Sequence, residues 1–412
     1  MPLTVQEAQA YKHIDSMVEN SGLFTKMLLR INQFSPAKGN IRITRFSDFF
    51  HFNRVEGAYA GVGFKVKNLF QRNDLIAQVG YGFSNKKSTY LLGFEHFING
   101  KRKTSFGFNV YRRISYRENE EYFMPGEITW LALLNKNDPV DYYEINGWSP
   151  YVWLKLSARN SIKFSYIIEK QSSLTKHSDF SLFYPSSRFR LNPPIYDGYS
   201  RSMRLVVNYD TRKFIDFGGI EDFDRSLNCF WGEIGFEWSD RKILRSDYCF
   251  SQIVGSLNIH YIGFGSRAID FFLRLGYSIG RIPTQRIFEL YAPVSGLCKQ
   301  FFLRTIGLKE FGGDKFYTLI VERDIINIPF GKLGLPFINN MDLVLFFGSG
   351  WSSVLKESTS ALPSLMKTCK KLHNEIGFGL SKFLTFLRLD FTWDITGETS
   401  KKFAFSVQSS VF

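Results

Sequence analysis

A sixteen-stranded antiparallel transmembrane β-barrel, all-β with a short N-terminal helical segment, is the fold this sequence predicts, and three features predict it. First, the last third alternates apolar and polar residues. In 384–393 the odd positions read Thr385, Leu387, Leu389, Phe391 and Trp393, while the even positions include Arg388, Asp390 and Thr392. Successive strand side chains point to opposite faces, so one face here suits lipid and the other carries charges of both signs. Second, aromatic residues make up 17% of the 412 residues, the excess that the interfacial girdles of a barrel require. Third, no run approaches the length of a membrane-crossing helix. A barrel strand needs only about 9–11 residues, half of them polar.

The elements follow in order. Val5, Ala8, Tyr11, Ile14, Met17 and Val18 recur at helical spacing, and Thr4 with Glu7 resembles a capping box. A second helical stretch covers about 22–32, with Leu23, Met27, Leu28 and Ile31 apolar. Residues 1–38 are therefore expected as a periplasmic helical lead-in and 39–412 as the barrel. Strand patterns then occupy 40–50, 55–67, 74–85, 88–98, 103–113, 146–158, 161–170, 199–210, 228–238, 246–259, 267–280, 313–325, 338–349, 373–381, 383–393 and 402–412. Counting back from a periplasmic C-terminus, the four longest connections (114–145, 171–198, 281–312 and 350–372) all fall on the outer side, as barrels require.

The alternation assigns faces. Lipid-facing candidates include Phe106, Phe108, Phe164, Leu205, Val207, Phe271, Leu275 and Ile376. Lumen candidates are Lys163, Arg204, Asn208, Asp270, Arg274, Glu322, Asp342, Glu375, Arg388 and Asp390. A charge facing lipid near the midplane would cost roughly 2–4 kcal/mol, and the apolar rows carry almost none. In the closing strand Phe403, Phe405 and Val407 share one phase, whereas the terminal Phe412 falls in the other.

Net charge is +14, but the Lys and Arg are scattered singly, with no basic run or nucleic-acid-binding motif. No nucleic-acid partner is expected. A positive lumen, or contact with lipid phosphates at the rim, accounts for the excess. Cys229, Cys249, Cys298 and Cys369 show no zinc spacing. Cys298 and Cys369 fall in outer loops, where either a disulfide or free thiols fit. The six His show no metal-ligand spacing, and neither a nucleophile elbow nor a phosphate loop occurs. His96, His177, Asp179 and Ser187 are the residues a hydrolase reading would need. The expectation is no enzyme, no cofactor and no metal. Met1-Pro2-Leu3-Thr4 lacks a basic n-region and an apolar h-region. An exported barrel with this start is expected to be a fragment or mature form, with an upstream periplasmic domain possible.

Two stretches carry a family resemblance. One is Phe52-Asn53-Arg54-Val55-Glu56-Gly57, running into the strand that follows. The other is Arg304-Thr305-Ile306-Gly307-Leu308-Lys309-Glu310-Phe311-Gly312-Gly313-Asp314, followed by Val321-Glu322-Arg323. They resemble the bacterial surface-antigen superfamily of sixteen-stranded barrels, which includes the outer-membrane protein assembly factor and two-partner secretion translocators. The nearer resemblance is to an uncharacterised Bacteroidota branch with a carboxypeptidase-like regulatory domain ahead of the barrel. The resemblance implies that the sixth outer loop, 281–312, folds into the lumen and pairs an Arg with wall carboxylates. Arg304 is the candidate, with Glu322 or Asp342 as partner. Here Arg304 is followed by Thr305-Ile306-Gly307, where the family has Arg-Gly-aromatic. The motif residues are Asn53, Arg54, Glu56, Gly57, Gly312, Gly313 and Asp314; Arg54 and Glu56, if paired at the rim, would fix the strand entry. The implied function is noncatalytic insertion or translocation of protein substrates at the bacterial outer membrane. Implied partners are outer-membrane lipid and unfolded outer-membrane or secreted proteins. A passive pore or transporter is the alternative, and a soluble all-β binding protein the third reading.

Overall fold

The computed structural model describes residues 37–409 except 39, 99–102, 118–122, 124, 217–220, 264–266, 295, 300–301, 329–340, 356–365, 370, 384–386, 398 and 400. The expected helical lead-in, apart from its last two residues, and Phe412 lie outside the described residues. Ala37–Lys38 (β1) pairs antiparallel with Ile41–Ile43 (β2). A one-turn helix, Phe46–Phe49 (α1), leads to Phe50–Asn53 (β3). A meander follows through β4 (Gly57–Leu69), β5 (Asn73–Gly82), β6 (Lys87–Phe97) and β7 (Thr104–Tyr116). After the helix α2 (Pro125–Asn135) come β8 (Tyr142–Lys155), β9 (Asn160–Ser173) and β10 (Gly198–Asp210). The small hairpin β11 (Phe214–Asp216) and β12 (Glu221–Phe223) stands outside the main sheet. The wall resumes with β13 (Cys229–Ser239), β14 (Cys249–Ile262) and β15 (Ala268–Arg281). A long loop holds three two-residue strands, β16 (Phe288–Glu289), β17 (Leu297–Cys298) and β18 (Gly312–Gly313). The last wall strands are β19 (Lys315–Ile328), β20 (Met341–Ser353), β21 (His373–Phe383), β22 (Leu387–Asp394) and β23 (Phe403–Ser409). Each wall strand pairs antiparallel with its neighbours in chain order, which is the topology of an up-and-down barrel.

The two faces behave as alternation dictates. Val62, Val79, Leu92, Phe106, Phe164, Leu205, Ile234, Ile253, Leu275, Leu345, Ile376 and Phe405 are all exposed, one on each of twelve strands. So continuous an outward apolar band on a single-layer sheet is the surface a bilayer covers. The opposite row is polar and buried: Ser165, Glu237, Arg274, Glu322, Glu375, Arg388, Asp390 and Thr392. The lumen therefore takes the place of a core.

The structure differs from the sequence reading in three places. The expected first strand, 40–50, is two short strands separated by α1. Both pair with β4: Ile41 faces Val66, and Phe50 faces Ala60. The interruption fits against glycines. A Cβ on Gly61 would lie 2.6 Å from the Asp48 carbonyl oxygen, and one on Gly63 would lie 2.4 Å from Thr44 Oγ1. Helix α2 went unforeseen within the long connection 114–145. It begins with Pro125, has Glu127 in its first turn, and is followed by Lys136 at φ 53° while Asn137 N–H donates to the Leu131 carbonyl. Several wall strands run a few residues beyond their expected bounds, as with 161–170, found as Asn160–Ser173. Hydrogen bonding in a ladder continues after the apolar alternation stops.

Candidate functional site

The loop between β15 and β19 enters the barrel. Its apolar residues Phe288, Leu290, Ala292, Leu303, Ile306 and Phe311 pack with Phe272, Phe316 and Ile320 of the wall. Burial on that scale, about 1.5–3 kcal/mol per large side chain, is what holds a long loop against the loss of its conformational entropy. The loop base needs glycine. Gly312 and Gly313 pair with Glu289 and Phe288, and a Cβ on Gly313 would meet the Ser353 carbonyl oxygen at 2.1 Å. Asp314 then clamps the turn: its N–H donates to the Ser353 carbonyl at 3.0 Å, and its carboxylate accepts the Leu355 N–H at 2.8 Å.

Arg304, fully buried, sits at the centre of a charge cage. Its Nη2 lies 2.8 Å from Glu322 on β19 and its Nε 2.8 Å from Asp390 on β22. Arg388 completes the ring, with Nη1 2.6 Å from Glu322 and Nε 2.6 Å from Asp390. The Phe346 ring lies under the Arg304 guanidinium at 3.9 Å. Glu375 accepts three further bonds from the loop: Arg304 N–H at 2.8 Å, Thr305 N–H at 2.9 Å and the Thr305 hydroxyl at 2.7 Å. Thr305, where a glycine was the family pattern, thus brings an extra donor. Of the two alternative carboxylates, Glu322 bonds Arg304. Asp390, not Asp342, is the further partner. Asp342 pairs with Asn327 near the other end of β20, four residues and roughly 13 Å from Phe346 at strand rise. Asp390 was legible as a lumen residue, but not as the partner.

The Asn53–Gly57 motif forms the outer turn between β3 and β4. The Asn53 side-chain oxygen accepts the N–H groups of Val55 and Glu56 at 2.9 and 2.8 Å, and Gly57 takes φ 67°. Glu56 bonds His51 and the Asn53 amide, at 2.9 and 2.7 Å. Arg54 and Glu56 do not pair with one another. The turn points them apart, and Arg54 runs into the outer loops, where it meets Asp138 at 2.9 Å, Asp141 at 3.3 Å and Asn192 at 3.1 Å. A methyl group at Gly57 would strike Ser84 Oγ at 2.0 Å in a left-handed backbone. Gly57→Ala is therefore expected to lower stability by at least ~1–2 kcal/mol, read as an earlier midpoint in heat-modifiable gel migration.

Asp141, which no motif singled out, ties the outer loops together. Arg54, Arg190 and Lys309 lie within 3.3 Å of it, and Arg117 at 3.7 Å. Lys309 belongs to the in-folded loop, so the same carboxylate joins that loop to the loop on the opposite wall. Against burial, which pushes it up, Lys309, Arg190 and Arg117 hold the Asp141 carboxyl well below the usual carboxylate range. A depressed folded-state pKa stabilises above the unfolded value, near 3.9, and the contribution fades as pH falls below it. Asp141→Asn is expected to flatten the acid limb of stability between about pH 5 and 2, measured as protease resistance of the outer loops. An unchanged limb would remove Asp141 as the hub.

Among the described residues the barrel has a seam. The pairings of β23 there are with β22 and β17, and those of β1, β2 and β3 are with one another and with β4. The free edge of β23 is met by β17 of the in-folded loop, in parallel, with Leu297 opposite Val407 and Cys298 opposite Gln408. Val407 N–H donates to the Gly296 carbonyl at 2.8 Å. Next along the loop, Lys299 bonds Glu127 of α2 at 2.7 Å, and α2 in turn receives the Phe52 N–H of β3 on Thr129 Oγ1 at 3.0 Å. One loop segment thus spans from the last strand to the helix over the first. In the closing strand Phe403 and Phe405 point outward and are exposed, while Ser406 and Gln408 are buried.

Cys298 and Cys369 are both buried and not disulfide-bonded, with thiols donating to the Lys299 and Lys371 carbonyls. His96 bonds Asn73 at one end of the wall, whereas His177, Asp179 and Ser187 lie in the loop at the other end, so these four form no common site. No group of His, Cys, Asp and Glu that could hold a metal occurs among the described residues.

Among solved structures the chain is similar to BamA from Haemophilus ducreyi lacking POTRA domains 1–3, at 14% identity over 87% of this chain and 69% of that one, with TM-score 0.49. It is also similar to CdiB from Acinetobacter baumannii, at 10% identity over 86% of this chain and 57% of that one, with TM-score 0.40. For CdiB from Escherichia coli the identity is 9%, over 90% and 63%, with TM-score 0.41. No curated protein matches the chain. Residues 31–211 match the family model described as the C-terminal domain of a family of unknown function, DUF5686.

Proposed function

We propose that the chain is an outer-membrane barrel of the surface-antigen type that inserts or translocates protein substrates without covalent chemistry. The observation that carries this reading is the seam. An unpaired strand edge in lipid leaves backbone N–H and C=O groups unsatisfied, at several kcal/mol each. Among the described residues the β23 edge is covered along two residues, by a loop rather than by a neighbouring strand. An incoming extended segment satisfies the rest of that edge by strand addition. The buried Ser406 hydroxyl and the Gln408 side-chain oxygen, both without a hydrogen-bond partner among the described residues, add side-chain positions along the same strand. The partners are then bilayer lipid around the apolar band and unfolded protein at the seam.

The test is reconstitution of the full-length protein in liposomes with a urea-unfolded outer-membrane barrel as substrate. Folded substrate, scored by heat-modifiable migration, is expected to accumulate several-fold faster than in empty liposomes. Equal rates would sink the proposal. Equal rates together with steady single-channel currents would put the passive pore in its place.

A further inference from the structure

The in-folded loop fills one side of the lumen and leaves the other open. A cavity of about 1050 Å³ lies against the inner faces of β7–β10 and β13–β15. Gln285 and Arg286 of the loop bound it at the outer end, and Asp210, Arg212 and Trp231 at the turn end. Its walls are charged, and the charges do not balance. Arg113, Lys163, Arg204, Arg212, Arg274 and Arg286 line it against Glu169, Asp210, Glu233 and Glu237.

The imbalance is local. Glu237 serves two cations, Arg204 at 2.6 Å and Arg286 at 3.2 Å. Glu169 is occupied by neutral donors, the Tyr111 hydroxyl and the Gln171 amide, both at 2.7 Å. Lys163 stands beside Arg204: Arg204 is opposite Ser165 on β9, two residues from Lys163 on the same face. Like charges on such a diagonal repel. Among the described residues Lys163 has no ion pair, and its ammonium rests 4.4 Å over the Tyr151 ring. Arg113 also has no ion pair and leans on Tyr111 at 5.6 Å. Cations gathered in a concave, low-dielectric space focus a field that attracts an anion, and guanidinium groups match the oxygens of phosphate or carboxylate.

We propose that this cavity is a binding site for a small multivalent oxyanion, such as a phosphate-bearing solute, held by Arg113, Lys163, Arg204 and Arg286. The proposal does not rest on protein insertion: it requires only the cavity and its charges.

The probe is inorganic pyrophosphate, titrated calorimetrically into the detergent-solubilised full-length protein. Saturable one-site binding is expected. It should weaken at least tenfold in the double variant Arg113→Gln, Lys163→Gln and stay unchanged in Lys242→Gln, on an exposed outer loop. The absence of saturable heat overturns the proposal. So does equal weakening in both variants, which would assign the anion to the general positive charge of the chain. Should the double variant lose its heat-modifiable band, the unmodified protein still decides. Pyrophosphate is expected to slow labelling of Lys163 by an amine reagent at least fivefold, with Lys242 labelling unaffected. Equal labelling with and without pyrophosphate overturns the site.

Discussion

Arg304→Ala is expected to release the in-folded loop and to cost the barrel the largest stability change of any single lumen substitution. The guanidinium is fully buried and bridges Glu322 and Asp390 at 2.8 Å each. Removing it leaves two buried carboxylates with only Arg388 between them. Breaking a buried charge network by deleting one partner typically costs ~3–5 kcal/mol, because the remaining charge stays desolvated. The Phe346 face loses its cation as well. The expected result is a midpoint of heat-modifiable migration lowered by many degrees, with protease cleavage appearing in 282–314. Arg304→Lys separates charge from geometry. A lysine keeps the charge but cannot bridge two carboxylates through separate nitrogens on a planar fork, so it should recover less than half of the loss. An Arg304→Ala protein with unchanged midpoint and unchanged loop protection would mean that the apolar packing of Leu303 and Ile306 alone holds the loop.

The wall was legible because barrel physics writes itself into a period of two. Every second residue of 384–393 must tolerate lipid, and that constraint survives without any helix-like signal. The loop Arg was legible through its motif neighbourhood, and Glu322 through its phase. The second partner was not. Choosing Asp390 over Asp342 requires the height of each residue in the wall, and height depends on where the strands start relative to one another. Alternation carries face but not stagger. Asp141 was invisible for another reason: its four cations come from four separate outer segments, and no local pattern marks a carboxylate on which distant loops converge. The broken first strand was hidden by its own apolar residues. Ile41, Ile43 and Phe49 share one alternation phase, and only Gly61 and Gly63 on the neighbouring strand hint that the chain leaves the ladder there.

A staple across the seam should abolish strand addition while leaving the barrel intact. Cys298 is already in place, directly opposite Gln408 in the parallel β17–β23 pairing, and both side chains are buried on the same side. Neighbouring strands lie ~4.8 Å apart, within the Cα separation that a disulfide spans. Gln408→Cys, with Cys229, Cys249 and Cys369 replaced by Ser, is therefore expected to form the 298–408 bond under mild oxidation. As found, the latch pairs two residues of β17 with β23, each backbone hydrogen bond being worth about 1 kcal/mol, beside the packing of Cys298 with Tyr291 and Phe302. So short a pairing opens more readily than a full wall ladder, and a covalent bond removes that opening. In the liposome assay the oxidised variant should fall to the rate of empty liposomes, and reductant should restore at least half of the lost activity. If the oxidised protein instead works at full rate, the β23 edge is not where substrates enter, and the seam is a structural feature of the fold alone.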